Sequence, residues 1–254
     1  MSGASDVSVT AKPERVHVLG LPVDRITMAE TLGRIRGFLA EPWNQTHLII
    51  TADAVGLVQA QHEQNYHKLY AKASIITPDS VGVLWAAKRG GTPLPERVSG
   101  VDLVGEICAI SGETGCRIFF LGASPGVAEL AAEKLRLKYP GCNIVGTRHG
   151  YFSKDDDQLV AKEIAEFTPD VLFVAMGIPR QELFIDATAG IIRAKVAMGV
   201  GGSLDVFSGR AKRAPKIMQM LKLEWAWRLI LNPKKIDKAK YLPEFVRRVL
   251  GGQR

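Results

Sequence analysis

The sequence predicts an α/β protein: a Rossmann-like, mostly parallel sheet in two closely packed halves, followed by a basic helical appendage. Three observations carry this expectation. Short apolar runs rich in β-branched residues alternate with helical segments at βαβ spacing, most regularly between Arg117 and Gly199. Each strand of that stretch empties into a loop containing Gly or Pro. The charge is also divided: residues 210–254 hold 13 Lys/Arg against three Asp/Glu, so the tail carries +10 and the remainder −3 of a net +7. The expected organisation is a flexible segment 1–15, an α/β core 16–209 with halves at about 16–110 and 111–209, and a membrane-associating helical appendage 210–254.

In chain order, Val16–Val23 reads as one short strand ending at Pro22. Thr27 with Glu30 three positions on has the form of a capping box and opens a helix. His47–Thr51 is a strand and Ala52–Tyr70 helical sequence. Ser74–Thr77 is a strand closed by Pro78-Asp79-Ser80, and Val81–Lys88 a helix stopped at Gly90-Gly91. The second half reads as strands at Arg117–Leu121, Asn143–Val145, Val171–Ala175 and Ala194–Gly199. Its helices fall at Ala128–Lys138, Asp156–Phe167 and Gln181–Ala189. Ligands of such sheets bind beyond the carboxyl ends of the strands.

Composition narrows the function classes. With 254 residues, 46% of them AVILMFWYC, the chain can bury a substantial core. Cys108, Cys116 and Cys142 have no CxxC spacing, which argues for a reducing compartment and against a disulfide framework or zinc knuckle. The five histidines show no HExxH pattern. Residues 1–15 lack the apolar stretch of a secretory signal, and no apolar run reaches the roughly 20 residues that span a bilayer. The protein is expected to be soluble, or held on a surface.

Three glycine-bearing loops should gather at the ligand edge. Gly122, Ala123 and Ser124 lie between a strand and a helix, where small residues let backbone N–H groups approach a phosphate; the spacing is not GxGxxG. Gly201 and Gly202 form the second loop. The third holds Arg180, which can meet a phosphate bidentately, and Gln181, whose amide suits sugar hydroxyls or a uracil edge. Asp79 and Asp53 each follow a strand and precede a helix. Each is either an N-cap or a carboxylate able to take a proton from an acceptor hydroxyl. Thr51 offers a hydroxyl nearby. Arg97 can neutralise phosphate charge or join an ion pair. Asp205 can hold a ribose or sugar hydroxyl or cap the short segment after Ser203. Asp155-Asp156-Asp157 invites a metal reading, but its place before a helix favours a first-turn role.

The tail combines Trp225 and Trp227 with Lys and Arg on apolar helical sequence, the pattern of an interfacial membrane binder. No RNA-binding signature accompanies it.

Together these blocks resemble the bacterial WecG/TagA/CpsF family of glycosyltransferases from about Val16 to Leu250. The likeness rests on Pro78-Asp79-Ser80-Val81-Gly82, Leu94-Pro95-Glu96-Arg97-Val98-Ser99-Gly100, Gly146-Thr147-Arg148-His149-Gly150-Tyr151-Phe152, Met176-Gly177-Ile178-Pro179-Arg180-Gln181-Glu182 and Gly199-Val200-Gly201-Gly202-Ser203-Leu204-Asp205. The resemblance implies a GT-E-like fold and inverting transfer from a UDP-sugar to a polyprenyl-diphosphate-linked saccharide in cell-surface polysaccharide synthesis. It also implies no metal or other cofactor. Its catalytic base falls on Asp79, its threonine on Thr51, its arginine on Arg97 and its glutamine on Gln181. Arg228 matches a diphosphate-binding arginine of the appendage, while Lys235 and Lys238 keep the charge of arginines but lose their planar fork. Expected partners are the UDP-sugar, the lipid-linked acceptor and an anionic membrane surface, with no nucleic acid. Asp53 stands where Asn is common in the family, which admits a glucosyl or uronosyl donor beside N-acetylmannosamine. The competing classes are a nucleotide-sugar epimerase or dehydrogenase, which the missing GxGxxG loop and YxxxK pair oppose, and a non-catalytic lipid- or RNA-binding protein.

Overall fold

The computed structural model describes residues 13–211 and 240–252. Its centre is a six-stranded, all-parallel sheet in the order β4-β3-β8-β7-β5-β6, flanked by helices on both faces in Rossmann-like fashion. The strands are β3 His47–Ala52, β4 Ile75–Pro78, β5 Ile118–Gly122, β6 Ile144–Arg148, β7 Val171–Ala175 and β8 Val196–Gly199. Because both faces are covered, the inner strands are mostly apolar, and alternate residues enter separate cores. Leu48, Ile50, Ile76, Leu121 and Val174 point into one core. Ile49, Ile75, Phe120, Phe173 and Met198 point into the other.

The helices are α1 Met28–Ala40, α2 Ala54–His62, α3 Gln64–Lys72, α4 Val81–Arg89, α5 Gly100–Thr114, α6 Val127–Lys138, α7 Asp157–Glu166, α8 Arg180–Ile192, α9 Ser203–Ser208 and α10 Tyr241–Leu250. The capping box of α1 forms as the sequence requires, with Thr27 Oγ1 accepting from the Glu30 N–H and the Glu30 carboxylate accepting from the Thr27 N–H.

Three elements differ from the sequence reading. The single strand expected over Val16–Val23 is a hairpin, β1 Arg15–Val18 and β2 Leu21–Asp24, turned by Leu19 and Gly20 at φ 53° and 76°. Positive φ at both turn residues matches the strand twist, and Pro22 is tolerated because a two-stranded ribbon consists only of edges. The helical stretch expected over Ala52–Tyr70 divides at Glu63, whose backbone is extended at φ −123° and ψ 97°. Helix α5, 15 residues long, was not expected at all.

The hairpin is fastened to the sheet through Asp24, which is fully buried. Its carboxylate accepts from Arg15 Nε at 2.8 Å and from the Ile76 N–H of β4 at 2.7 Å. Arg15 also donates to the Ala73 carbonyl at 2.9 Å.

The last strand ends at Gly199, but the chain returns to the core: Phe245 of α10 is 2% exposed and belongs to the same apolar cluster as α2 and α4. No helix among the described residues is long and apolar enough to cross a membrane.

Candidate functional site

All six strands of the sheet are parallel, so their carboxyl ends form one edge. Asp79 and Asp53 close the two strands at one side of it, and the structure separates these two similar residues. Asp53 is the N-cap of α2, its Oδ1 accepting from the Gly56 N–H at 2.6 Å. At α4 the cap is Ser80, whose Oγ accepts from the Val83 N–H at 3.3 Å. Asp79 is therefore not needed as a cap. It is half-buried, and its carboxylate turns toward the start of α5. A Cβ built on Gly100 would stand 3.6 Å from Asp79 Oδ2 and 3.2 Å from Thr51 Cγ2. Thr51, Asp79 and the amino end of α5 thus meet at one point. The α5 N-cap Ser99 makes no side-chain cap, so the helix presents first-turn amides and a positive dipole end there.

The segment that carries Arg97 is laid near this point by its neighbours. The Val98 N–H donates to the Pro78 carbonyl at 3.0 Å, laying the segment beside the end of β4, and Glu96 accepts from the Met28 N–H at the start of α1. Arg97 is half-buried between these anchors.

Across the edge, backbone hydrogen bonds tie the glycine loops to the strands. The N–H of Ala123 donates to the Ala175 carbonyl, that of Val200 to Val174, that of Ser203 to Val200, and that of Gly150 to Ala123. Gly177 and Gly201 both donate to Gln181 Oε1, at 3.1 and 3.0 Å. Most of the amides expected to face a phosphate are thus consumed in tying loop to strand. Gly122 is glycine because its φ is 126° and a Cβ would overlap the Ala175 carbonyl. Gly201, at φ 50°, has open space where its Cβ would be, and Gly202 beside it is exposed. This loop offers an approach for a ligand over backbone.

Gln181 also departs from expectation. It is 2% exposed, with its oxygen on the two loop amides and its Nε2 donating to Glu182 Oε1 at 2.7 Å. It braces the edge from beneath. Arg180 forms a two-point ion pair with Asp157 and lies over the Phe152 and Phe184 rings, so its fork is occupied. In the acidic run, Asp156 closes a capping box with Ser153 and Asp157 holds Arg180. Among the described residues no three His, Cys, Asp or Glu side chains gather as a metal group would require.

Ser124 lies at the far side, its Oγ 3.3 Å from the hydroxyl of Tyr151, which follows β6 and is 69% exposed. The sequence reading gave Tyr151 no role beyond its place in the Gly146–Phe152 block; an aromatic directly after a glycine, just beyond the strand, was the available signal. Asp205 sits in the first turn of α9, where Gly202 is the N-cap, so the capping alternative for Asp205 falls away. Arg228, Lys235, Lys238, Trp225 and Trp227 lie outside the described residues.

The C-terminal helix borders the site. Phe245 Cε1 comes within 3.3 Å of a Cβ position on Gly82, beside Ser80 and Ala54, and Glu244 meets His62 of α2 at 3.1 Å.

The edge therefore carries a carboxylate and a threonine at β3 and β4, an open glycine loop at β8, and a serine–tyrosine pair at β5 and β6. At roughly 4.8 Å per strand, β3 and β5 are about 14 Å apart. Comparison with known proteins identifies the family. The family model described as "Glycosyl transferase WecG/TagA/CpsF family" matches residues 16–254. An N-acetylglucosaminyldiphosphoundecaprenol N-acetyl-beta-D-mannosaminyltransferase of Staphylococcus aureus (strain MRSA252) is 36% identical over 240 residues, covering 94% of each chain. Its counterpart from strain NCTC 8325 / PS 47 is 35% identical over the same share. The chain belongs to the WecG/TagA/CpsF family of glycosyltransferases.

Proposed function

We propose that this glycosyltransferase moves a hexose or N-acetylhexosamine, of N-acetylmannosamine type first, from UDP to a polyprenyl-diphosphate-linked saccharide, with inversion at the anomeric carbon. The observation that carries the reading is the convergence of Asp79, Thr51 and the amino end of α5 at one end of an edge whose other end presents Tyr151. The nucleotide base stacks on Tyr151, the diphosphate crosses the Gly201-Gly202 loop, and the sugar reaches Asp79. Asp79 accepts the proton of the acceptor hydroxyl as that oxygen bonds to the anomeric carbon and the bond to UDP breaks. With most loop amides already bonded, the charge of departing UDP falls to cations: Arg97, with Arg228, Lys235 and Lys238 from the tail. The reading needs no metal cofactor. The relatives' names support the acceptor class, since they specify an N-acetylglucosaminyl-diphosphoundecaprenol acceptor and an N-acetylmannosaminyl group.

The test is incubation of the full chain with a panel of UDP-sugars and a short-chain polyprenyl-diphosphate N-acetylglucosamine, in buffer containing EDTA. Release of UDP with a product heavier by one sugar residue is expected with at least one donor. Absence of product from every donor overturns the reading.

The same proposal places the protein on the inner face of the membrane, held by the +10 tail. Each Lys near an anionic surface contributes on the order of 1 kcal/mol. Changing Lys216, Lys222 and Lys234 together to Gln is therefore expected to weaken binding to phosphatidylserine-containing vesicles on the order of a hundredfold. Sedimentation with vesicles measures it, and unchanged binding removes the electrostatic anchor.

A further inference from the structure

Glu182 takes no part in the chemistry described above, yet its carboxyl group lies directly beneath the ligand edge at 2% exposure. Its Oε1 accepts from Gln181 Nε2 at 2.7 Å. A glutamine amide is nearly symmetric in shape, and its two orientations differ only in which end donates. Reversed, Gln181 would set an NH₂ group against the N–H groups of Gly177 and Gly201, four donors meeting with no acceptor. Glu182 Oε1 accepts from Nε2 and so favours the other orientation. Gly199 of β8 narrows the choice further. A Cβ there would overlap Gln181 Nε2 and stand 2.6 Å from Glu182 Oε1, so both side chains fill the space that a larger residue would occupy. On its other side Glu182 neighbours Tyr66 and Tyr70, whose hydroxyls burial, foremost, and nearby negative charge keep protonated. They add no positive charge and leave Glu182 as the group that orients the amide.

We infer that Glu182 is a positioning residue: it fixes the orientation of the Gln181 amide, and through that amide clamps the loop after β7 to the loop after β8. The donor diphosphate was placed over the second of these loops, at Gly201-Gly202, so the ligand-binding half of the inference rests on the proposed function. The structural half stands apart from it.

The experiment uses the full chain with Glu182→Gln, Gln181→Ala and the double variant. Glu182→Gln keeps size and shape but replaces one carboxyl oxygen with an NH₂ donor. Amide hydrogen exchange over residues 176–178 and 199–202 is expected to quicken at least tenfold in Glu182→Gln, while exchange within α8 stays close to wild type. Adding Glu182→Gln to Gln181→Ala is expected to have no further effect, because the route through the amide is already cut. Unchanged loop exchange in Glu182→Gln, or additive effects in the double variant, overturns the inference whether or not the protein binds UDP. Calorimetric titration with UDP supplies the second reading. About tenfold weaker affinity in Glu182→Gln, with the same non-additivity, is expected; wild-type affinity in that variant overturns the link to the donor. A wild-type chain that does not bind UDP overturns the proposed function instead, and the exchange measurement still decides the role of Glu182.

Discussion

Asp79→Asn is expected to lower turnover by about two to four orders of magnitude, the usual contribution of a positioned general base. The melting temperature should stay close to wild type, since Asn keeps the size and shape of Asp and the cap of α4 is Ser80. The division follows from the local geometry. Ser80 caps α4, so the cap of that helix does not depend on the Asp79 side chain. Asn occupies the same volume beside Thr51 and Gly100 but cannot take up a proton. Asp53→Asn is the matched control: Asn caps a helix as well as Asp, so α2 keeps its cap. Initial rates at saturating donor, together with thermal melts, check both variants. Near-normal turnover by Asp79→Asn would remove Asp79 from the chemistry.

The largest effect on stability is expected at the opposite end of the molecule's logic, in Asp24→Ala. That change strips the acceptor from Arg15 and from the Ile76 N–H at once. Breaking a buried ion pair costs about 3–5 kcal/mol. Arg15 retains 21% side-chain exposure, so the lower figure applies, about 3 kcal/mol. For a chain of this size that lowers the melting temperature by roughly 6–12 °C. The pH dependence has a definite sign. Burial, the largest influence, raises the Asp24 carboxyl above its ordinary value, while the Ile76 N–H and Arg15 pull it down. The folded chain then holds a proton at a pH where the unfolded chain has released it. The site's contribution is greatest below the unfolded carboxylate value of about 3.9 and declines as pH rises through the folded value. Asp24→Asn, which cannot titrate, should flatten that slope, and denaturant melts between pH 3 and 6 measure the difference.

The sheet was legible because each strand is a short apolar run closed by a turn residue, and such runs admit few other packings. What escaped has identifiable causes. Helix α5 was hidden by Gly105 and Gly112, residues that read as helix breakers. They are glycine because the Tyr139 hydroxyl and the Pro140 carbonyl would lie 2.7 and 2.8 Å from a Cβ. Asp79-Ser80 and Asp53 present equivalent capping side chains, and only the backbone path decides which one caps. Gln181 and the loop glycines were read as facing a ligand, since a sequence shows which donors exist and not which are already bonded. The convergence of Asp79 with Thr51 and Gly100 joins positions up to 49 residues apart, and family likeness, not local pattern, anticipated it.

The position of β8 bears on how the chain is made. The strand lies between β3 and β7, hydrogen-bonded to both, yet it is the last of the six to leave the ribosome. Until Val196–Gly199 emerges, β3 with β4, and β5 with β6 and β7, are separate ribbons. Each then has an inner edge of unpaired amides and carbonyls open to solvent or to a neighbouring nascent chain. Closing the sheet requires contacts across some 150 residues, from His47 to Val196, which places its rate among the slower, non-local folding steps. The early ribbons are consequently the chain's exposure to misassembly during synthesis, and the short segment 196–199 ends it.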